Sequence, residues 1–273
     1  DINYVYLLNG VIRWVLTLQI TIDETTYQDT LEISTQDIYN ELANGKMPKT
    51  SMAAYQKIYD LFEELKKDYD TIFAVPLTNG LSTNASTMQS IARELEMNVH
   101  VIDMYATCAL EKHVAIWIKK LVDEHKSSEE ILKIIQPAID ESNSLILVKN
   151  LQHLKRGGRL TPMAAALAGL LKIYPVLHIN KSTEGRIDVL NKVRTEKRAD
   201  AYAIDKIMDD IDIQHTHIYI IHSNFLEGAD HFKKCFIEKG VPEQNIHIDY
   251  ISSVIAVHTG LGCIAIQYIR EEN

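Results

Sequence analysis

The feature that most constrains this chain is a repeated unit of short apolar strand, polar turn and amphipathic helix. Residues 71–77 form an apolar run, followed by the polar turn 78–84 and a helical pattern carrying Met88, Ile91 and Leu95. The unit recurs as residues 99–103, a turn through Ala106 and Thr107, and a helix with His113, Trp117 and Leu121. Strands that alternate with helices of this length need crossover connections, so a mostly parallel sheet with flanking helices is expected for the first half. Ahead of it, residues 12–23 read as a buried strand, and Ser34 with Asp37 three places on caps a short helix carrying Ile38 and Leu42. Thr50 and Ser51 precede the helical series Tyr55, Ile58, Leu61, Phe62 and Leu65. Ser127 with Glu130 forms a capping box, and residues 144–148 follow as a further strand.

The second half changes pattern. Residues 173–180 and 186–193 are strand-like runs joined by Lys181-Ser182-Thr183-Glu184-Gly185, which is hairpin chemistry and predicts an antiparallel pair. A helix through Ala203 and Ile207, a strand at 217–222, a helix through Phe232 and Phe236 and an apolar region at 254–269 complete the chain. The fold class is therefore α/β in two domains. An N-terminal domain is expected over 1–154, and a C-terminal mixed α/β domain with an antiparallel hairpin over 155–273.

Composition removes several functions. The 28 Lys and Arg against 37 Asp and Glu give a net charge of −9, which argues against a dedicated nucleic-acid binder. The longest apolar stretch, residues 163–171, is stopped by Lys172 and falls well short of the ~20 residues that span a bilayer, so no stable membrane insertion is expected. Cys108, Cys235 and Cys263 are widely spaced and odd in number, which suggests neither a disulfide framework nor a zinc knuckle and fits a reducing cytoplasm. No signal peptide is visible from Asp1 onward. Charge is distributed unevenly: between residues 149 and 198 eleven basic residues meet three acidic ones, a local +8 that leaves −17 for the remainder.

The candidate chemistry lies in turns. Thr50-Ser51 and Ser82-Thr83 each stand where a helix is expected to begin, and a helix start offers unpaired N–H groups that suit a carboxylate or phosphate. N-capping explains either turn alone; two of them at the carboxyl ends of strands make ligand binding equally good. His258-Thr259-Gly260-Leu261-Gly262 reads as a strand running into a glycine-permitted turn, where His258 either donates to an anion or is a satisfied structural histidine. Gly260-x-Gly262-x-x-Ala265 has too little chain after it to be a dinucleotide fingerprint, and no P-loop, nucleophile elbow or zincin motif occurs. His215 and His217 lack a third metal ligand. Gly157-Gly158-Arg159 suits a phosphate or carboxylate, or else is part of a solvated basic face.

Several stretches in order resemble one family. They are Leu154-Lys155-Arg156-Gly157-Gly158-Arg159-Leu160, Leu170-Leu171-Lys172-Ile173-Tyr174-Pro175-Val176-Leu177, Gly185-Arg186-Ile187, Lys192-Val193-Arg194-Thr195 and His258-Thr259-Gly260-Leu261-Gly262. Thr50-Ser51 also matches the start of a T-S-x-P-S motif. Over nearly its whole length the chain resembles the DegV family of fatty-acid-binding proteins, whose members include the acyl-carrying subunits of bacterial fatty acid kinase. The resemblance implies a long-chain fatty acid held between two α/β domains, with its acyl chain in an apolar tunnel. It implies no catalysis by this chain and no cofactor; a separate ATP-dependent kinase subunit would phosphorylate the bound carboxylate for phospholipid synthesis. By position, Thr50, Ser82 and His258 are the implied carboxylate contacts, with Ser51, Thr83, Thr259 and Gly260 as further ligand contacts. Arg159 and Arg194 are the implied kinase-facing residues.

The chain departs from the family pattern at Ala53 and Ala54, at Thr83-Asn84 after Ser82, at Met104 and at Leu261, and Asp1 is the only remnant of the family's opening D-S motif. These departures keep two other functions in view. One is an enzyme of phosphoryl or acyl transfer using Ser82, His258 and Arg159 on a small anion. The other is a regulatory protein that has lost its lipid.

Overall fold

The computed structural model describes residues 2–7, 12–170 and 172–271, with the backbone alone for residues 2–7 and 12–15. The elements in order are β1 Ile2–Leu7, β2 Ile12–Thr17, β3 Gln19–Ile22, β4 Thr25–Gln28, α1 Thr35–Ala43, β5 Lys49–Ser51, α2 Tyr55–Leu65, β6 Thr71–Val75, α3 Asn84–Glu94, β7 Asn98–Val101, α4 Ala109–Asp123 and α5 Ser128–Glu141. They continue as β8 Asn143–Leu147, α6 Leu151–Arg156, α7 Pro162–Leu167, β9 Tyr174–Ile179, β10 Asp188–Val193, α8 Glu196–Asp210, β11 Thr216–His222, α9 Leu226–Glu238, β12 Ile246–Tyr250, α10 Ser253–Thr259 and β13 Ile264–Arg270.

Local chemistry accounts for many of these boundaries. Ser34 and Asp37 close the expected capping box on α1, and Ser127 and Glu130 do the same for α5. Thr161 caps α7, whose first residue is Pro162, a position where a missing N–H costs nothing.

Three sheets organise the molecule. The first has the order β2-β1-β6-β7, the second β10-β9-β8-β13-β11-β12, and a small third sheet β4-β3-β5. The two-domain α/β class stands, but the first sheet is not mostly parallel. Only β6 and β7 run parallel; β1 is antiparallel to both β2 and β6. The four residues between β1 and β2 are far too few for a crossover, which needs a dozen or more, so that pair must be antiparallel. The predicted hairpin in the second half is present as β9–β10.

Sheet membership changes earlier than residue 154. Strand β8 pairs with β13 and β9 inside the second sheet. Helix α1 also crosses over: Ile38 packs with Val254 and Val257 of α10, and Tyr39 donates from its buried hydroxyl to the carbonyl of Ile251 at 2.6 Å. The reading of Asp1 as a remnant of the family's opening motif lies outside the described residues.

Two further expectations are corrected. Thr50 and Ser51 do not start a helix; they lie in β5, paired with β3, and α2 begins four residues later after Ala54, which makes no side-chain cap bond. His258 does not end a strand. Residues 254–257 are a β-branched, apolar run that favours a strand by propensity, yet they form α10, buried by α1 on one side and α6 on another.

Candidate functional site

One cavity of about 360 Å³ lies between the second sheet and the loops of the first half. Its volume falls within the range of small-molecule pockets, roughly 300–1,000 Å³. Its walls are apolar, with Ile146, Ile179, Ile221, Ile251 and Val254 prominent. Ser51, Asn79, Thr83 and Gly158 are exposed at its mouth.

The mouth brings together residues far apart in the chain. Thr50 Oγ1 and His258 Nε2 share a hydrogen bond of 2.7 Å across 208 positions. His258 can lie there because Gly157 has no side chain: a Cβ at that position would stand 2.7 Å from the imidazole Nδ1. Burial, with the neighbouring Arg159 and His153 adding to it, holds His258 down to about 4, so the ring is neutral at pH 7 and keeps one N–H to donate. His153 is turned away, donating Nε2–H to the Val257 carbonyl at 2.8 Å. Arg159 lines the same cavity, and its Nη1 donates to the Gly157 carbonyl at 2.6 Å, which fixes the guanidinium at the mouth.

The remaining candidate residues differ in the hydrogen bonds they already make. Ser82 lines the cavity and its Oγ accepts weakly from the Asn84 N–H at 3.3 Å, while its own proton has no acceptor among the described residues. Ser51 donates to Gln19 Oε1, Thr83 to Met52 Sδ, and Thr259 to the Ile255 carbonyl. Those three hydroxyls line the cavity with their protons engaged inside the protein. Gly260 is buried and outside the lining; its φ of +76° makes the turn, and its carbonyl accepts from Ser223 Oγ at 2.7 Å. Arg194 is exposed at the end of strand β10 on the way into α8 and does not line the cavity with Arg159. Thus Thr50, Ser82, His258 and Arg159 meet at one mouth, and Arg194 stands apart.

Sequence reasoning missed two groups. Ser223 locks the turn after α10: it bonds Gly260, and its Oγ accepts from the Cys263 N–H at 2.9 Å. At the inner end, Thr107, Ser144 and Gln267 line the cavity amid apolar side chains. The alternation along β13 signals that Cys263, Ala265 and Gln267 share a face, though nothing in the sequence identifies that face as a cavity wall.

One wall is a glycine contact. The turn 78–84 crosses the tip of the β9–β10 hairpin so closely that a Cβ on Gly80 would stand 2.2 Å from the Gly185 carbonyl carbon. A Cβ on Gly185 would stand 2.0 Å from Thr78 Oγ1.

Among the described residues no group of three or more His, Cys, Asp or Glu is placed to hold a metal ion, and no helix is long and apolar enough to cross a membrane. His215 instead bonds Asp212, and His217 bonds His247.

Fold and site together define a two-domain α/β protein enclosing an apolar cavity with a hydroxyl-, imidazole- and guanidinium-bearing mouth. The comparisons place it more narrowly. The family model described as an uncharacterised protein of the DegV family matches residues 9–271, and the chain belongs to the DegV family. A DegV domain-containing protein of Streptococcus pyogenes serotype M1 is 32% identical over 257 residues, covering 92% of this chain and 89% of the relative. The crystal structure of a fatty acid binding DegV family protein from Streptococcus agalactiae superposes with a TM-score of 0.89 at 29% identity, covering 97% of this chain and 93% of that one. DegV of Bacillus subtilis, described as a fatty acid binding protein, gives a TM-score of 0.80 at 26% identity over 93% of this chain and 90% of its own.

Proposed function

We propose that this protein is a cytoplasmic, non-catalytic carrier that holds one long-chain fatty acid in the cavity and presents its carboxylate to a separate ATP-dependent fatty acid kinase. The observation that carries the reading is the division of the cavity into a long apolar wall and a mouth whose polar groups retain donors. Burying an acyl chain contributes about 0.8 kcal/mol per methylene, so ~14 methylenes offer on the order of 11 kcal/mol before association and ordering costs. The carboxylate must stay paired, because a buried unpaired one costs several kcal/mol. The Thr50–His258 pair, which keeps one proton beyond its mutual bond, and Ser82 supply neutral donors, and Arg159 supplies the charge. Fatty acid binding by the relatives of known structure supports the same ligand class.

Presentation to a kinase is supported by where the head group would lie. The mouth is flanked by exposed Ser51, Thr83 and Gly158, so a carboxylate held there stays at the solvent edge while its chain is enclosed.

Lipid extraction and mass spectrometry of the purified protein tests the reading: a stoichiometric fatty acid is expected. Recovery of none, together with no binding of added oleate or palmitate, overturns it.

A further inference from the structure

The inner end of the cavity is polar, and the Gln267 carboxamide at its centre is tied down. Cys263, just ahead of strand β13, and Ala265 and Gln267 within it line the cavity, and at ~3.3 Å per residue Gln267 lies about 13 Å beyond Cys263. Its cross-strand neighbour on β8 is Ser144, which lines the cavity beside it. Gln267 and Ser144, each 1% exposed, are the least exposed of the polar residues that line the cavity, which sets them at the end away from the open mouth.

The Gln267 carboxamide is engaged on every side. Its Nε2 donates to the Thr107 carbonyl and to Ser144 Oγ, both at 2.9 Å, and its Oε1 accepts from the Ala109 N–H at 3.1 Å. Thr107 and Ala109 flank Cys108, whose backbone at φ 55°, ψ −114° is a conformation that side chains rarely adopt. One side chain therefore clamps both ends of an unusual turn and satisfies the first N–H of α4. Turning Gln267 aside would leave a buried carbonyl and a buried N–H without partners, so this wall does not yield as a methionine or leucine would.

We propose that Gln267 is the rigid floor of the cavity and sets an upper limit on the length of the acyl chain it accepts. The inference rests on the fatty acid reading of the cavity and names the residue that fixes specificity within it. Below the limit each added methylene finds apolar wall; beyond it the terminal methyl meets an amide that cannot move.

The test is a titration of the delipidated full chain with unbranched saturated fatty acids, lengthened two carbons at a time from octanoic to eicosanoic acid. Affinity is expected to rise about fourfold per methylene and then break, falling about tenfold or more at the first acid that overpacks the cavity. Gln267→Ala is expected to move the break to longer acids. Gln267→Met has similar bulk without the clamp, and in it affinity is expected to keep rising past the wild-type break; it serves where Gln267→Ala fails to fold. A wild-type series with no break overturns the proposal, as does an unmoved break in Gln267→Met. A protein that binds none of the acids gives a different result, overturning the fatty acid reading and the floor with it.

Discussion

The two ends of the cavity both carry hydroxyls and nitrogen donors and differ in what those groups have left to offer. At the mouth, Thr50 and His258 share a single bond, Ser82 makes one weak one, and Arg159 keeps donors beyond its bond to Gly157. At the floor, both amide protons of Gln267 and its oxygen are engaged within the protein. Unsatisfied capacity makes a polar group a recognition element, and satisfied capacity makes it a wall. Residue type alone does not separate the two.

Three measurements sharpen this contrast, taken from the largest expected effect to the smallest. The first is the proton on His258, since the mouth carries a titratable group and the floor carries none. In the native protein His258 is held down to about 4 from an ordinary value of 6.5, mainly by burial. Between those values the unfolded chain takes up a proton that the folded chain refuses. The contribution of His258 to the stability of the ligand-free protein is therefore constant above pH 6.5 and declines as pH falls toward 4, by at most about 3 kcal/mol. Calorimetric unfolding across that range should show the decline, and His258→Leu should make it shallower by up to that amount, because His100, His178, His217, His222 and His247 are held down by burial as well. A carboxylate beside the ring favours its charged form, so bound fatty acid is expected to offset part of the loss.

The second is removal of a mouth donor. His258→Leu is expected to weaken fatty acid binding roughly 10- to 100-fold, the range for a hydrogen bond to a charged group, with the preferred chain length unchanged. A shift in chain-length preference instead would mean that mouth and floor are not independent. The third pairs two hydroxyls. Thr50→Val should cost about fivefold in affinity, while Ser51→Ala, whose hydroxyl is bound to Gln19, should change it less than about twofold. Equal losses would break the distinction between free and engaged hydroxyls.

How much of this was legible in the sequence depended on whether the signal was local. The capping boxes at Ser34 and Ser127 and the β9–β10 hairpin were readable because each is set by residues a few places apart. The order of the first sheet was not, because β1 and β6 meet across more than sixty residues of chain. Residues 254–257 read as a strand because their β-branched side chains carry that propensity, and tertiary packing overrode it. Thr50, Ser82 and His258 were each readable as turn residues able to meet an anion, but only family resemblance joined them in one site; nothing in their spacing brings them together. Gln267 was invisible because a single amide in an apolar strand gives no periodic signal, and its partners come from the turn before α4 and from β8.

The crossing of Gly80 and Gly185 has a consequence for how this sequence can drift. Each residue is small because the other backbone, or Thr78 beneath it, already occupies the place where a methyl group would go. The two positions are therefore coupled although they stand 105 positions apart. A substitution at either is tolerated only if the loop at the other retreats, so mutational history at this crossing must proceed in coupled steps.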